Sequence, residues 1–343
     1  MIKVLICDDS PVFCRYMFEI FKTDPQLFVV GVAGNGQEAI QLNQKFHPDI
    51  IVMDIQMPVM NGIEATRTIM SDMPVPIVIL SGLLQEEVNL GMLALEAGAL
   101  TVVPKATGLS YPGAENAARI LINTVKLMSE VKVVRRNLLN RINTNQLNLN
   151  VPKPGNRPPG LIAIAGSTGG PPALQKILKA LPLNFKIPIL ITQHILPGFL
   201  EKLVVWLRQT TGRDIACVRN GAFLEFNSGK IWFAPDNAHL VLNTGFKLTL
   251  DESTGLNAHK PSADVMFESV ARTAGSDALG IILTGMGSDG ARGLKKLHDA
   301  GAVTLAQDES TSVVFGMPKA AIDLKAATLI LSLDQISSYL KRL

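Results

Sequence analysis

Cysteine is scarce: the 343-residue chain has three, at Cys7, Cys14 and Cys217. They are odd in number and form no Cys-x-x-Cys pair. That excludes a disulfide framework and a cysteine-built zinc site, and points to buried thiols in a reduced compartment. Long apolar runs are missing as well, and none approaches the roughly 18 to 20 residues that a membrane-spanning helix needs. Met1-Ile2-Lys3-Val4-Leu5-Ile6 leads directly into Cys7-Asp8-Asp9, without the cleavage region of a secretory signal. A cytoplasmic protein that is not membrane-inserted is expected. Charge of one sign is also weak, with charged residues at 18% and a net charge of +3. Spread over this length, such a field does not favour nucleic acid as a partner. The second half lacks a helix-turn-helix pattern, a P-loop Lys-Ser/Thr and GxGxxG spacing.

What is present is globular. Hydrophobic residues reach 47%, and a chain of this length exceeds one core, so two domains are expected. Residues 129–160 stand apart, with six basic residues, one acidic residue, seven asparagines and four prolines. Pro152, Pro154, Pro158 and Pro159 exclude a helix or central strand at its end. At its beginning Leu121, Val125, Met128, Val131, Leu138 and Ile142 recur at helical spacing. The expected division is a first domain at 1–128, a linker at 129–158 and a second domain at 159–343. The basic charges between them read as a solvated linker.

The first domain alternates β-branched runs (Ile2–Cys7, Phe28–Ala33, Ile50–Met53, Ile77–Leu80, Leu100–Val103) with amphipathic stretches near 11–22, 36–46, 62–71 and 86–97. This alternation predicts a parallel sheet with helices on both faces, whose ligands bind beyond the carboxyl ends of the strands. Asp8, Asp9, Asp54, Ser81 and Lys105 stand at those ends. Three carboxylates converging on one crevice repel each other unless a cation neutralises them, and hard oxygen donors suit Mg²⁺. Beside that ion a carboxylate can attack a phosphoryl group whose oxygens a lysine and a hydroxyl hold. Any one of these aspartates could merely cap a helix. All five together point to phosphoryl chemistry.

Cys7-Asp8-Asp9-Ser10, Met53-Asp54-Ile55-Gln56-Met57-Pro58, Leu80-Ser81-Gly82 and Pro104-Lys105 resemble the receiver domain of two-component response regulators. The resemblance implies a flavodoxin-like (βα)5 fold and Asp54 as acceptor of a phosphoryl group from a histidine kinase. It also implies Asp8, Asp9 and Asp54 around Mg²⁺, with Ser81 and Lys105 on the phosphoryl oxygens. Two positions depart from the pattern: Ala106 replaces a usual proline, and Val102 stands where many receivers carry Phe or Tyr.

The second domain alternates again, with apolar runs at Leu161–Ala165, Ile187–Thr192, Ile215–Val218, Ile231–Ala234, Leu248–Leu250, Leu279–Leu283 and Val303–Ala306. Helices are expected at 171–181, 198–210, 262–274 and 290–300, and hairpin-like strands near 230–250. The class is α/β, a doubly wound, mostly parallel sheet. Gly166-Ser167-Thr168-Gly169-Gly170-Pro171 follows the first run and admits three readings. It can cradle a phosphate at a helix N-terminus, raise Ser167 as a nucleophile beside backbone N–H donors, or simply turn.

His194 ends another strand, and Asp289 lies in the glycine-rich turn after a third. A serine attacks only once a base removes its proton, and a carboxylate best orients that base. Ser167, His194 and Asp289 all fall where an open α/β sheet gathers its site. Singly, His194 could be a buried core histidine and Asp289 a helix cap. His239 and His259 fall in expected loops near the site, His298 on a surface helix and His47 before a turn; His194, His239 and His259 lack the spacing of a zinc site.

Ala165–Gly170, Thr192–Gly198, Ala234–Leu240, His259–Asp264, Leu283–Gly290 and Ala306–Pro318 resemble the catalytic domain of the chemotaxis protein-glutamate methylesterase family. Receiver, linker and esterase in this order match that family over nearly the full chain. The resemblance implies Ser167 as nucleophile, His194 as general base and acid, Asp289 as its orienting partner, and the N–H groups of Thr168 and Met286 as oxyanion donors. It implies hydrolysis of glutamate methyl esters and deamidation of glutamines on chemoreceptors, with no cofactor for hydrolysis. It further implies that the receiver covers the site at rest and that phosphorylation of Asp54 releases it. Lys260 and Lys319 stand where relatives often carry arginine. Two rival readings are a non-catalytic partner-binding second domain and a nucleotide-binding α/β domain.

Overall fold

The computed structural model describes residues 1–82, 85–105, 114–131, 133, 158–253 and 259–343. It divides into two compact units, Met1–Leu147 and Asn148–Leu343. Ala106 and most of the expected 129–158 linker lie outside the described residues.

In the first unit the chain runs β1 (Ile2–Cys7), α1 (Pro11–Lys22), β2 (Leu27–Ala33), α2 (Gly36–Phe46), β3 (Ile50–Asp54), α3 (Gly62–Asp72), β4 (Ile77–Ser81), α4 (Gln85–Ala97), β5 (Thr101–Pro104) and α5 (Ala114–Ser129). The sheet order is β2-β1-β3-β4-β5, parallel throughout. That is the flavodoxin-like order that the receiver resemblance implies. β3 and β4 are buried along their whole length, which is why they read as unbroken apolar runs: helices cover both faces. The helical spacing that reached Ile142 corresponds to α5 as far as Ser129, and its remainder lies outside the described residues. Val102 is buried in β5. A Cβ built on Gly91 of α4 would stand 3.3 Å from its side chain, so the helix closes down on the small residue.

The second unit continues with β6 (Leu161–Gly166), α6 (Gly170–Ala180), β7 (Ile189–Gln193), α7 (Leu200–Thr211), β8 (Ile215–Cys217), β9 (Ile231–Phe233), β10 (His239–Asn243), β11 (Lys247–Asp251), α8 (Ala263–Thr273), β12 (Ala278–Ile282), α9 (Ala291–Asp299), β13 (Val303–Gln307), α10 (Met317–Asp323), β14 (Leu329–Leu331) and α11 (Leu333–Leu340). Seven strands form one sheet in the order β14-β13-β12-β6-β7-β9-β8, with every pairing parallel. β10 and β11 make a separate antiparallel hairpin. From β6 the chain builds outward through β7 toward β8; from β12 it builds outward the other way. The sheet therefore reverses between β6 and β12, and the crevice beyond their carboxyl ends is where such folds hold ligands. β6, β7 and β12 are buried along their length. None of the described helices is long and apolar enough to cross a membrane.

Candidate active site

Ser167 is the first residue past β6, at the reversal point. Its N–H donates to Thr284 O at 3.0 Å. Its carbonyl accepts from the Gly170 N–H and from Gln193 Nε2, both at 2.8 Å. Gly169 has φ +77°, a left-handed turn that glycine takes without penalty, and Pro171 sits in the first turn of α6. A Cβ on Gly170 would fall 2.1 Å from Gln193 Oε1, and one on Gly166 3.0 Å from it. These glycines seat the Gln193 amide. The Gly170 N–H is already spent on the Ser167 carbonyl, leaving one donor fewer for a phosphate cradle.

His194 reaches the same place because β6 and β7 pair Gly166 with Gln193, and its N–H donates to Gly166 O at 2.9 Å. Asp289 comes from the loop between β12 and α9. His194 Nε2 lies 2.9 Å from Asp289 Oδ2, at an angle outside that of a good hydrogen bond. With Nε2 turned to the carboxylate, Nδ1 is the ring nitrogen left for a proton from Ser167. Among the described residues Ser167 Oγ makes no hydrogen bond, and catalytic contacts of this kind commonly tighten only when substrate arrives.

Asp289 is held by the start of α8. It accepts from Ser262 Oγ at 2.8 Å, from the Ala263 N–H at 2.7 Å and from the Asp264 N–H at 3.2 Å. Burial alone would raise its pKa. His194 and the hydrogen bonds from Ala263 and Ser262 outweigh that and lower it to about 2. A helix N-terminus suits an anion because its first N–H groups lack internal partners. Gly285 O accepts from the Gly316 and Met317 N–H groups at 3.0 and 2.9 Å, while no carbonyl of the described residues takes the N–H of Thr168 or Met286.

Sequence reasoning passed over four residues that fix this crevice. Gln193 is the first. Thr284 Oγ1 donates to Thr168 O at 2.9 Å and accepts from the Val314 N–H at 2.9 Å. Gln307, fully buried, accepts the Thr284 N–H at 2.8 Å and donates to Thr311 O at 2.7 Å. Ser262 both caps α8 and bonds Asp289. His239, expected in a loop, instead opens β10 and is buried; its Nδ1 accepts the Ser262 N–H at 3.0 Å. Burial lowers its pKa, which agrees with a neutral ring. His259 stacks on His194 with centroids 4.8 Å apart. Lys260 and Lys319 use their ammonium groups elsewhere, on Glu252 O at 2.6 Å and on Asp323 at 2.6 Å.

The first unit gathers its own cluster. Asp8, Asp9 and Asp54 bring ligand atoms within 4.8 Å of one another. Lys105 Nζ lies 2.7 Å from Asp8 Oδ2 and 3.2 Å from Asp54 Oδ2. Burial raises the pKa of Asp54 to about 6, with Asp8 adding to the rise and Lys105 opposing it. Two buried carboxylates facing one exposed one, with a single ammonium between them, leave negative charge that a divalent cation would offset. The donor set therefore fits Mg²⁺. Ser81 closes β4, buried, and its carbonyl accepts the Lys105 N–H at 2.8 Å. A Cβ on Gly62 would fall 2.0 Å from the Asp54 carbonyl, so α3 can start this close to the acidic pocket only with glycine.

Comparison with known proteins finds a family match in each unit. Residues 162–340 match the family model described as CheB methylesterase, and residues 4–110 that of the response regulator receiver domain. A protein-glutamate methylesterase/protein-glutamine glutaminase of Nitrosospira multiformis is 42% identical, covering 100% of this chain and 97% of the relative. One from Geobacter metallireducens is 43% identical, covering 100% and 99%. The chain belongs to the receiver-linked CheB methylesterase family. Among solved structures, the Thermotoga maritima CheB methylesterase catalytic domain aligns with 34% identity and a TM-score of 0.50, over 54% of this chain and 98% of that one. Family membership thus spans both units, and the crevice at β6, β7 and β12 lies inside the methylesterase segment.

Proposed function

We propose that the protein is a phosphorylation-activated serine hydrolase that removes methyl groups from glutamate methyl esters, and ammonia from particular glutamines, on chemoreceptors. The observation that carries the site assignment is the convergence of Ser167, His194 and Asp289 at the reversal of the second sheet. His194 Nδ1 takes the proton of Ser167 Oγ as the oxygen attacks the γ-carbonyl carbon of the methylated side chain. The N–H groups of Thr168 and Met286 receive the carbonyl oxygen as it becomes negative. His194 returns the proton to the departing methoxy oxygen, so methanol leaves and an acyl ester on Ser167 remains. A water molecule, deprotonated by His194, then attacks that ester and restores Ser167, giving glutamate. Asp289 stays ionised throughout and stabilises the imidazolium. Hydrolysis uses no further cofactor.

In the first unit Asp8, Asp9 and Asp54 would hold Mg²⁺, which when bound offsets charge on the phosphoryl oxygens. Asp54 accepts the phosphoryl group from a histidine kinase, while Lys105 and Ser81 hold its oxygens. Both leaving groups should depend on one nucleophile. Methanol release from methylated receptor and ammonia release from glutamine-bearing receptor are expected to vanish together in Ser167→Ala. Loss of only one of them would mean a second hydrolytic site.

A further inference from the structure

The two proposed oxyanion donors share a feature of their peptide units. In a planar trans peptide the N–H points opposite to the carbonyl of the preceding residue. The Thr168 N–H is therefore aimed by whatever holds the Ser167 carbonyl, and the Met286 N–H by whatever holds the Gly285 carbonyl. Each of these carbonyls accepts two hydrogen bonds. Gly285 O takes the N–H groups of Gly316 and Met317. Ser167 O takes the Gly170 N–H and Gln193 Nε2. Two bonds to a carbonyl pin its plane, and each bond polarises the peptide so that its N–H becomes a stronger donor.

Of these four donors only Gln193 Nε2 belongs to a side chain. Gln193 is the last residue of β7 and is 1% exposed. Its Nε2 also donates to His194 O at 2.9 Å. Its Oε1 is buried and lies against Gly166 and Gly170, without a hydrogen-bond partner among the described residues. An unpaired buried amide oxygen is unfavourable, and packing alone would be served better by an apolar side chain of similar length. What the amide offers is the pair of bonds from Nε2, one to the nucleophile's carbonyl and one to that of the general base.

We propose that Gln193 is a positioning residue of the oxyanion hole: it sets and polarises the Ser167–Thr168 peptide and anchors the backbone of His194. This rests on Ser167 being the nucleophile. It acts through the peptide and does not touch substrate.

Gln193→Met keeps the length and removes the donor. In the full-length protein, methanol release from methylated receptor should show kcat about 10- to 100-fold lower, with KM changed less than about twofold. Rates are taken per active serine, counted by labelling to completion with a fluorophosphonate. A loss confined to the number of labelled sites, with kcat per site unchanged, overturns the proposal, as does full kcat in Gln193→Met. Should that variant fail to fold, Gln193→Glu decides. Its carboxyl donates only when protonated, so its activity relative to the parent should rise as pH is lowered from about 8 to about 6; a flat or falling ratio overturns the proposal. Methanol release by Ser167→Ala would instead sink the nucleophile assignment and leave the role of Gln193 without a reaction to serve.

Discussion

Asp289 would be a costly charge in a buried crevice, since burial favours the protonated acid. Three hydrogen-bond donors, a hydroxyl and two N–H groups at the start of α8, together with the nearby ring of His194, reverse that. Its pKa is about 2, against an ordinary value of 3.8. A carboxylate whose folded-state pKa is depressed stabilises the fold above its unfolded pKa and loses that contribution as pH falls through the folded one. The depression corresponds to on the order of 2 kcal/mol. Denaturation of the parent and of Asp289→Asn should therefore differ at neutral pH, with the gap narrowing below about pH 4. A gap that is constant down to about pH 2 would mean that the charge is not what those donors hold.

At the scale of elements, the chemistry depends on three strand ends held in register by the loops that follow them. The turn after β6 is bonded to the loop after β12 through Ser167 and Thr284, and that loop is bonded to Val314 and Gly316 before α10 and to Met317 at its start. The closeness is such that a Cβ on Gly285 would lie 2.7 Å from Ser167 Cβ and 2.3 Å from Met317 Sδ. Met317 can bend away, whereas Ser167 Cβ cannot move without moving the nucleophile. Gly285→Ala should therefore lower kcat/KM by at least about tenfold while the protein still melts cooperatively. Retention of parent kcat/KM would show that the two loops need not approach so closely.

The strands were legible in the sequence, and the proposed reactive residues could be singled out there, because both follow simple rules. Strands covered on two faces are unbroken apolar runs; Ser167 and His194 stand where such runs stop, and Asp289 in the glycine-rich loop that follows one. Gln193 and Gln307 stop their strands in the same way, but a glutamine neither titrates nor attacks, so its role shows only when its partners are seen. Ser262 is 27 positions from the Asp289 that it bonds. β14, α10 and α11 have three, seven and eight residues, too few for periodicity to separate them from loops. His239, expected in a loop, opens a five-residue strand of the hairpin that the sequence placed only broadly, near 230–250.

For the whole molecule, each unit carries the residues proposed for its own reaction. The first has Asp54 beside Lys105 and two further carboxylates; the second has Ser167, His194 and Asp289. In the proposed function the phosphoryl site is the control and the serine site the output. The decisive measurement is methanol release from methylated chemoreceptor membranes, with and without Mg²⁺ and a small phosphodonor, for the parent, Asp54→Asn and Ser167→Ala. The parent should be stimulated by the phosphodonor, Asp54→Asn should show only unstimulated release, and Ser167→Ala should show none. Stimulation surviving in Asp54→Asn would contradict the control; methanol release persisting in Ser167→Ala would contradict the catalytic assignment itself.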